Sequence, residues 1–225
     1  MIFQLDDKIK LFPDPHLAEE DGLLALGGDL STERLLNAYS SGIFPWYSED
    51  TPILWYSPHD RFVLYPNDIK VSKSMRKIID KSTFAVTCNQ VFEQVIYNCS
   101  SMERKDQDGT WIVDDMKKAY IKLHELGFAH SIEVWENEEL VGGLYGVLVG
   151  RVFCGESMFS KVANSSKVAL IYLCRSFDLE FIDCQIHSDH LESMGAKLIP
   201  QSEFQRYLVN QKFEKNGLQK LFRHS

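Results

Sequence analysis

Two short stretches of the chain carry residue types suited to polar chemistry on a substrate. In EFIDCQIH, Asp183 and Gln185 stand two positions apart, and a strand there puts both on one face because side chains alternate with period two. A carboxylate so placed can orient an amide. The same spacing also suits a buried hydrogen-bonded pair or a carboxylate closing a sheet end, and local sequence leaves these options open. Cys184 would otherwise be the obvious nucleophile, with His187 or His190 as its base. On the strand reading it faces the opposite layer and is expected to be structural. Upstream, CGESMFS places Glu156 after Gly155 at the end of an apolar run, where a carboxylate either lines a cleft or caps a loop.

Aromatic and basic residues add a nucleic-acid signal. Trp46 in GIFPWY and Trp111 in GTWI both follow turn-forming residues and can present rings to a nucleobase, although core packing is the commoner fate of Trp. Trp55 and Trp135 sit within alternating apolar runs and read as core. Lys73, Lys77 and Lys81 fall four apart with Lys70 and Arg76 nearby, which gives one basic helical face, either for a phosphate backbone or for solvent. Gly142, Gly143 and Gly146 leave strand backbone uncovered, which fits the approach of a ligand or another chain, or a β-bulge.

Composition sets the bounds. A chain of 225 residues with 44% hydrophobic content buries a substantial core. Its net charge of -8 argues against a general nucleic-acid coat, whose affinity rests on Lys and Arg, while leaving room for a local basic face. No apolar run approaches the roughly 20 residues of a membrane span, and MIFQLDDKIK lacks the pattern of a secretory signal. A cytoplasmic protein without membrane contact is expected. The five cysteines, Cys88, Cys99, Cys154, Cys174 and Cys184, are odd in number and include no CxxC pair, so neither a zinc site nor a disulfide framework is expected.

The elements that must position these residues divide near position 60. Six of the seven prolines lie at or before Pro66, and residues 1–60 read as a small loop-rich N-terminal domain that packs on the remainder. Its one clear helix starts at Ser31 or Thr32 and ends at Gly42. In residues 61–225, FVLYP and FAVTC read as strands. The segments 70–81, NQVFEQVIYNCS and DDMKKAYIKLHELG read as helices, the last with Met116, Tyr120 and Leu123 on one face and Gly127 as its stop. HSIEVWE, LVGGLYGVLVG and RVFCGESMF form a meander, followed by a helix in SSKVALIYLCRSFDL, a short strand in EFIDCQ, a helix or loop through HLESMGA and a closing amphipathic segment. That order predicts an α+β fold with α/β-like layers.

At this point the chain resembles the bacterial leucyl/phenylalanyl-tRNA–protein transferases. The resemblance runs through FPDP, DGLLALGGDLS, AYSSGIFPWY, ILWYSPHDR, TWI, AHSIEVW, LVGGLYGV, GESMFS, SSKVAL, IDCQ and SMGA, which cover nearly its whole length. It implies an enzyme that takes Leu or Phe, less readily Met, from aminoacyl-tRNA and joins it to proteins beginning with Arg or Lys, creating an N-terminal degradation signal. It also implies a GNAT-like acyltransferase domain over 61–225. SKVANSSKVAL stands where an acetyltransferase would carry its Gly-rich coenzyme A loop, so aminoacyl-tRNA is the better donor and no cofactor is expected. By motif, Asp183, Gln185 and Glu156 match the family's catalytic or substrate-orienting residues, and Trp46 and Trp111 match residues at the tRNA 3′ end. Leu144, Leu170, Leu173, Phe177 and Ile182 correspond to the pocket for the transferred side chain, and Lys73, Arg76 and Lys77 loosely to a tRNA-backbone face. On this basis Asp183 is expected to hold Gln185 and attract the incoming ammonium, Gln185 to position amine or carbonyl, and Glu156 to anchor the donor's amino group. The competing readings are a coenzyme A-dependent N-acetyltransferase and a non-catalytic tRNA-binding module.

Overall fold

The computed structural model describes residues 2–102 and 112–223. The chain opens with a four-stranded sheet of very short strands: β1 (Phe3–Leu5), β2 (Leu23–Gly27), β3 (Phe44–Pro45) and β4 (Leu54–Tyr56), in the order β1-β2-β4-β3. Between β2 and β3 lies α1 (Thr32–Ser40), whose N-cap Ser31 accepts the Arg34 N–H. Most of this region lies outside helices and strands, so it is loop-rich as expected, but it also holds a short sheet that the sequence reading does not name. Strands of two to five residues are too short to display the period-two alternation by which strands are recognised.

A seven-stranded sheet follows. It begins with β5 (Asp60–Leu64), α2 (Lys73–Asp80), β6 (Ala85–Cys88), α3 (Phe92–Ser101) and α4 (Asp114–Glu125). The meander is β7 (Ala129–Glu136), β8 (Glu139–Val149) and β9 (Val152–Ser160). Then come α5 (Ser165–Ser176), β10 (Phe181–Gln185), α6 (Asp189–Ser193), β11 (Lys197–Pro200), α7 (Gln201–Leu208) and α8 (Gly217–Lys220). The strand order is β11-β5-β10-β9-β8-β7-β6. All neighbours are antiparallel except β9 and β10, which run parallel and are joined by α5 as a crossover helix. Mixed sheets covered by helices make this an α+β fold.

Two apolar clusters cover the two faces of the large sheet. Buried residues of α5, among them Leu170, Ile171 and Leu173, pack with Met75 of α2 and Ile182 of β10 on one face. On the other, α3 and α4 contribute Val95, Ile96, Met116 and Tyr120, and these join Leu24, Leu35, Tyr39 and Trp55 of the N-terminal region in one continuous core. Leu35, Ile43 and Trp55 are fully buried, and each such side chain contributes about 1.5–3 kcal/mol or more.

Two bulges shape the middle of the large sheet. Tyr145 pairs with Ser157 and Gly146 with Gly155, which leaves Glu156 as the extra residue of β9. On β10, Asp183 pairs with Val63 and Gln185 with Phe62, so Cys184 is the extra residue, and Gln185 adopts φ 65°. Gly146 serves the first bulge, since a Cβ there would lie 2.2 Å from the Cys154 carbonyl oxygen. Gly142 serves the crossover helix instead: a Cβ would lie 2.3 Å from Ser165 Oγ. Both glycines are required by the chain's own close packing.

Candidate functional site

The parallel pairing of β9 and β10 ends at Cys154 and Asp183. Beyond that point each strand carries its bulge, and at the C-terminal ends of the two strands lies a cavity of about 420 Å³. Clefts at such strand ends are common ligand sites, because the backbone there is no longer committed to a ladder. One wall is apolar, formed by Leu144, Leu170, Leu173 and Ile182 together with Phe153 and Met158. The other carries Glu156, Asp183 and Gln185, and Trp46 stands among the lining residues.

The polar wall is a connected network. Asp183 receives Arg61 Nε on Oδ1 and Arg61 Nη2 on Oδ2, both at 2.7 Å, and the two side chains are at most 2% exposed. The guanidinium also donates to the Gly42 carbonyl at 3.1 Å and lies between the rings of Phe44 and Phe204, at 4.7 and 4.6 Å from their centroids. Burial works against the charge on Arg61, but Asp183 outweighs it and raises the pKa. Such a buried bidentate pair is geometrically stiff, and losing either partner strands a charge. Asp183 Oδ1 additionally accepts the backbone N–H of Gln185 at 2.9 Å.

That arrangement revises the expected division of labour. Asp183 does hold Gln185, but through the main chain at the bulge, leaving the amide side chain free to point elsewhere. The amide donates instead from Nε2 to Glu156 Oε1 at 2.8 Å. Asp183 is also matched by Arg61, so it offers no unpaired charge to attract an incoming ammonium.

Glu156 sits on the bulge of β9 and meets two helices. Its Oε1 accepts the Tyr39 hydroxyl at 2.6 Å and its Oε2 the Tyr120 hydroxyl at 2.9 Å, and the two hydroxyl oxygens lie in contact with each other. Burial pushes the Glu156 carboxyl up to about 7, while the hydrogen bonds from Tyr39, Tyr120 and Gln185 act in the opposite direction. Burial and the nearby Glu156 charge raise both tyrosines well above the usual phenol value.

The apolar side collects four of the five expected pocket residues. Phe177 lies outside the lining and packs instead on Tyr172 and Phe222, with ring centroids at 6.0 and 5.5 Å. The reason is local. Residue 177 is the extended C-cap of α5, with φ -124° and ψ 145°, so its side chain leaves the helical register that aligns Leu170 with Leu173. Trp46 is half-buried at the lining, 5.6 Å from the Tyr56 ring, and Trp111 falls outside the described residues. Lys73, Arg76 and Lys77 are exposed on α2 and take no part in the cavity.

Cys184 packs with Ile182 in the cluster around α5, away from the Arg61 side, as strand alternation requires. Burial raises its thiol well above the usual value, which is contrary to the needs of a nucleophile. At the mouth, His187, Asp189 and Glu192 bring their ligand atoms within 4.8 Å of one another, but all three are exposed. His187 already bonds Glu192 at 3.2 Å, and nothing there marks a metal centre.

Arg61, Tyr39 and Tyr120 are residues of the polar network that sequence reasoning misses. Tyr120 was readable as a buried helix residue, and Tyr39 and Arg61 lie inside the blocks AYSSGIFPWY and ILWYSPHDR. What no local pattern gives is that positions 122, 117 and 36 residues apart meet over one carboxylate or the other.

A family model described as leucyl/phenylalanyl-tRNA protein transferase matches residues 63–209, and one for that family's N-terminal domain matches residues 28–59. The leucyl/phenylalanyl-tRNA–protein transferase of Hydrogenovibrio crunogenus is 54% identical over 211 residues, covering 92% of this chain and 82% of that protein. The Flavobacterium psychrophilum protein of the same name is 54% identical over 200 residues, covering 88% and 95%. A functionally unknown protein from Staphylococcus epidermidis aligns in structure over 79% of this chain and 68% of its own, with 10% identity and a TM-score of 0.46, too distant to bear on the argument.

Proposed function

Since the chain belongs to the leucyl/phenylalanyl-tRNA–protein transferase family and so moves Leu or Phe from aminoacyl-tRNA to a protein N-terminus, we propose that the cavity between β9 and β10 is where the aminoacyl ester meets the acceptor amine. The observation that carries this reading is a single cavity with one apolar wall and one hydrogen-bonded polar wall. Leu144, Leu170, Leu173 and Ile182 take the donor side chain, Trp46 takes the 3′-terminal base, and Gln185 and Glu156 face the reacting carbonyl and the two amino groups. Asp183 and Arg61 form the rigid frame that fixes Gln185.

The chemistry needs no nucleophilic Ser or Cys. The donor is already an activated ester, and the acceptor α-amine has an unperturbed pKa of about 8, so a useful fraction is neutral at cellular pH. Alignment of amine and carbonyl, with hydrogen bonds aimed at the developing oxyanion, supplies most of what remains. An apolar pocket separates Leu, Phe and Met from charged side chains but distinguishes one methylene by only about 1–3 kcal/mol, so some breadth among apolar donors follows. Acceptors beginning with Arg or Lys suit a protein of net charge -8.

The parallel β9–α5–β10 crossover with a bulge on each strand supports a GNAT-like acyltransferase domain over residues 61–225, with residues 1–60 as the smaller unit. Among the described residues no helix is long and apolar enough to cross a membrane, and a cytoplasmic location fits the tRNA donor. The exposed Lys73, Arg76 and Lys77 of α2 provide a face for the tRNA backbone. The test is transfer of radiolabelled Leu from Leu-tRNA to a peptide beginning with Arg. RNA-dependent labelling of the peptide is expected. Labelling from leucyl-coenzyme A, or no transfer by folded protein with intact donor, would overturn the reading.

A further inference from the structure

The two acidic side chains of the cavity have surroundings of different kinds. Asp183 is fully buried and matched by the Arg61 guanidinium, with both oxygens engaged. Glu156 takes part in no ion pair among the described residues; its partners are the phenols of Tyr39 and Tyr120 and the amide of Gln185. Neutral donors favour the ionised carboxylate without cancelling its charge. Glu156 also lines the cavity where a substrate amine would stand. The titratable or charged groups around it are Tyr39 of α1, Tyr120 of α4, Cys154 of its own strand, Asp183 of β10 and Arg61 of β5.

We infer that Glu156 is the proton acceptor for the α-amine of the acceptor protein, and that Tyr39 and Tyr120 are positioning residues that hold it ionised and aimed. The inference rests on the reading of the cavity given under the proposed function. In the transfer step the amine nitrogen attacks the ester carbonyl carbon, so the N–C bond forms and the nitrogen gives up a proton to a Glu156 oxygen. The C–O bond to the terminal ribose then breaks, and the same proton passes from Glu156 to the departing ribose oxygen. The products are a peptide bond and a free hydroxyl on the tRNA, with Glu156 ionised again. Asp183 cannot take this part, because a proton on it would leave the buried Arg61 charge without its partner. A carboxyl near neutrality is well placed for it: strong enough to accept a proton at cellular pH and weak enough to return it.

The test is the pH dependence of single-turnover transfer from Leu-tRNA to an Arg-terminated peptide, followed from about pH 5 to about pH 9 so as to bracket an amine near 8 and the carboxyl. If both groups must lose a proton, the logarithm of the rate climbs with a slope approaching two at the acid end. Glu156→Gln then lowers the rate by about 10²–10⁴-fold and reduces that slope to one. Retention of labelled Leu-tRNA by Glu156→Gln on a filter separates loss of the proton acceptor from loss of a donor anchor. Tyr120→Phe removes one donor to the carboxylate, so the carboxyl break moves to higher pH, by roughly one unit. A wild-type slope of one, a slope of two that survives in Glu156→Gln, or an unmoved break in Tyr120→Phe overturns the inference while leaving the transferase reading intact. Absence of transfer by the wild type at every pH overturns the transferase reading itself.

Discussion

Arg61 and Asp183, 122 positions apart, meet through two hydrogen bonds of 2.7 Å at the junction of β5 and β10 and are sealed from solvent. The pair fixes the end of β10 from which Gln185 departs, and through the Gly42 carbonyl it ties that end to the turn after α1. On the proposed reading Asp183 supports the chemistry and is not a reagent in it.

Asp183→Asn accordingly leaves the Arg61 charge buried and half-matched, at a cost of about 3–5 kcal/mol of stability. Urea unfolding measures the loss. Transfer should fall by a similar factor at every pH, with no movement of the acid limb, whereas a base at position 183 would shift that limb. Arg61→Met combined with Asp183→Leu should recover much of the stability and none of the activity.

Glu156 makes stability depend on pH with a definite sign. Its folded-state pKa of about 7 lies above the unfolded value of about 4.3, so the folded protein binds the extra proton more tightly. Stability relative to Glu156→Gln is therefore greatest below about pH 4 and falls as pH rises through the window to about 7, by about 3–4 kcal/mol in all, then levels off. Parallel urea titrations of the two proteins near pH 5 and pH 8 read the difference. Equal gaps at both values would contradict the burial of an unmatched carboxyl.

If Trp46 takes the 3′-terminal base as proposed, Trp46→Ala removes a stacking platform worth about 1–3 kcal/mol per base. KM for Leu-tRNA should rise by about tenfold or more, KM for the peptide should stay put, and Trp46→Phe should restore part of the loss. Steady-state kinetics in both substrates distinguishes this from a general loss of folding, which would move both constants.

Leu170 and Phe177 separate the pocket from its surroundings. Leu170→Ala enlarges the apolar wall and should lower kcat/KM for the Leu donor by about 10–200-fold, with a smaller effect on Phe. Phe177→Leu should leave the ratio of Leu to Phe transfer unchanged while lowering the melting temperature, because its ring packs on Tyr172 and Phe222. Competition between the two charged tRNAs measures both ratios.

Much of this arrangement is legible in the residues themselves. From Arg61 onward the helices and strands are long enough for their periods to show, as with Met116, Tyr120 and Leu123 on α4 or the three strands of the meander. Alternation along β10 correctly separates Asp183 from Cys184, because that strand is regular up to residue 183. It also brings Gln185 to the same cavity wall as Asp183, but it does not give the bulge and positive φ that turn the amide toward Glu156, because a bulge has no signature in a five-residue strand. The N-terminal sheet escapes notice for the same reason of length. Arg61, Tyr39 and Tyr120 escape because their significance lies in contacts between distant elements, and single residues in a helix or strand carry no mark of what they meet.

The most direct measurement is a crystal structure with a non-hydrolysable donor mimic, an adenosine carrying a leucyl amide at its 3′ position. The account places the leucyl side chain against Leu144, Leu170, Leu173 and Ile182, the adenine against Trp46, and the amide within hydrogen-bonding reach of Gln185 or Glu156. A mimic bound away from this cavity, or seated in it with the leucyl group turned from the apolar wall, would contradict the assignment of the site.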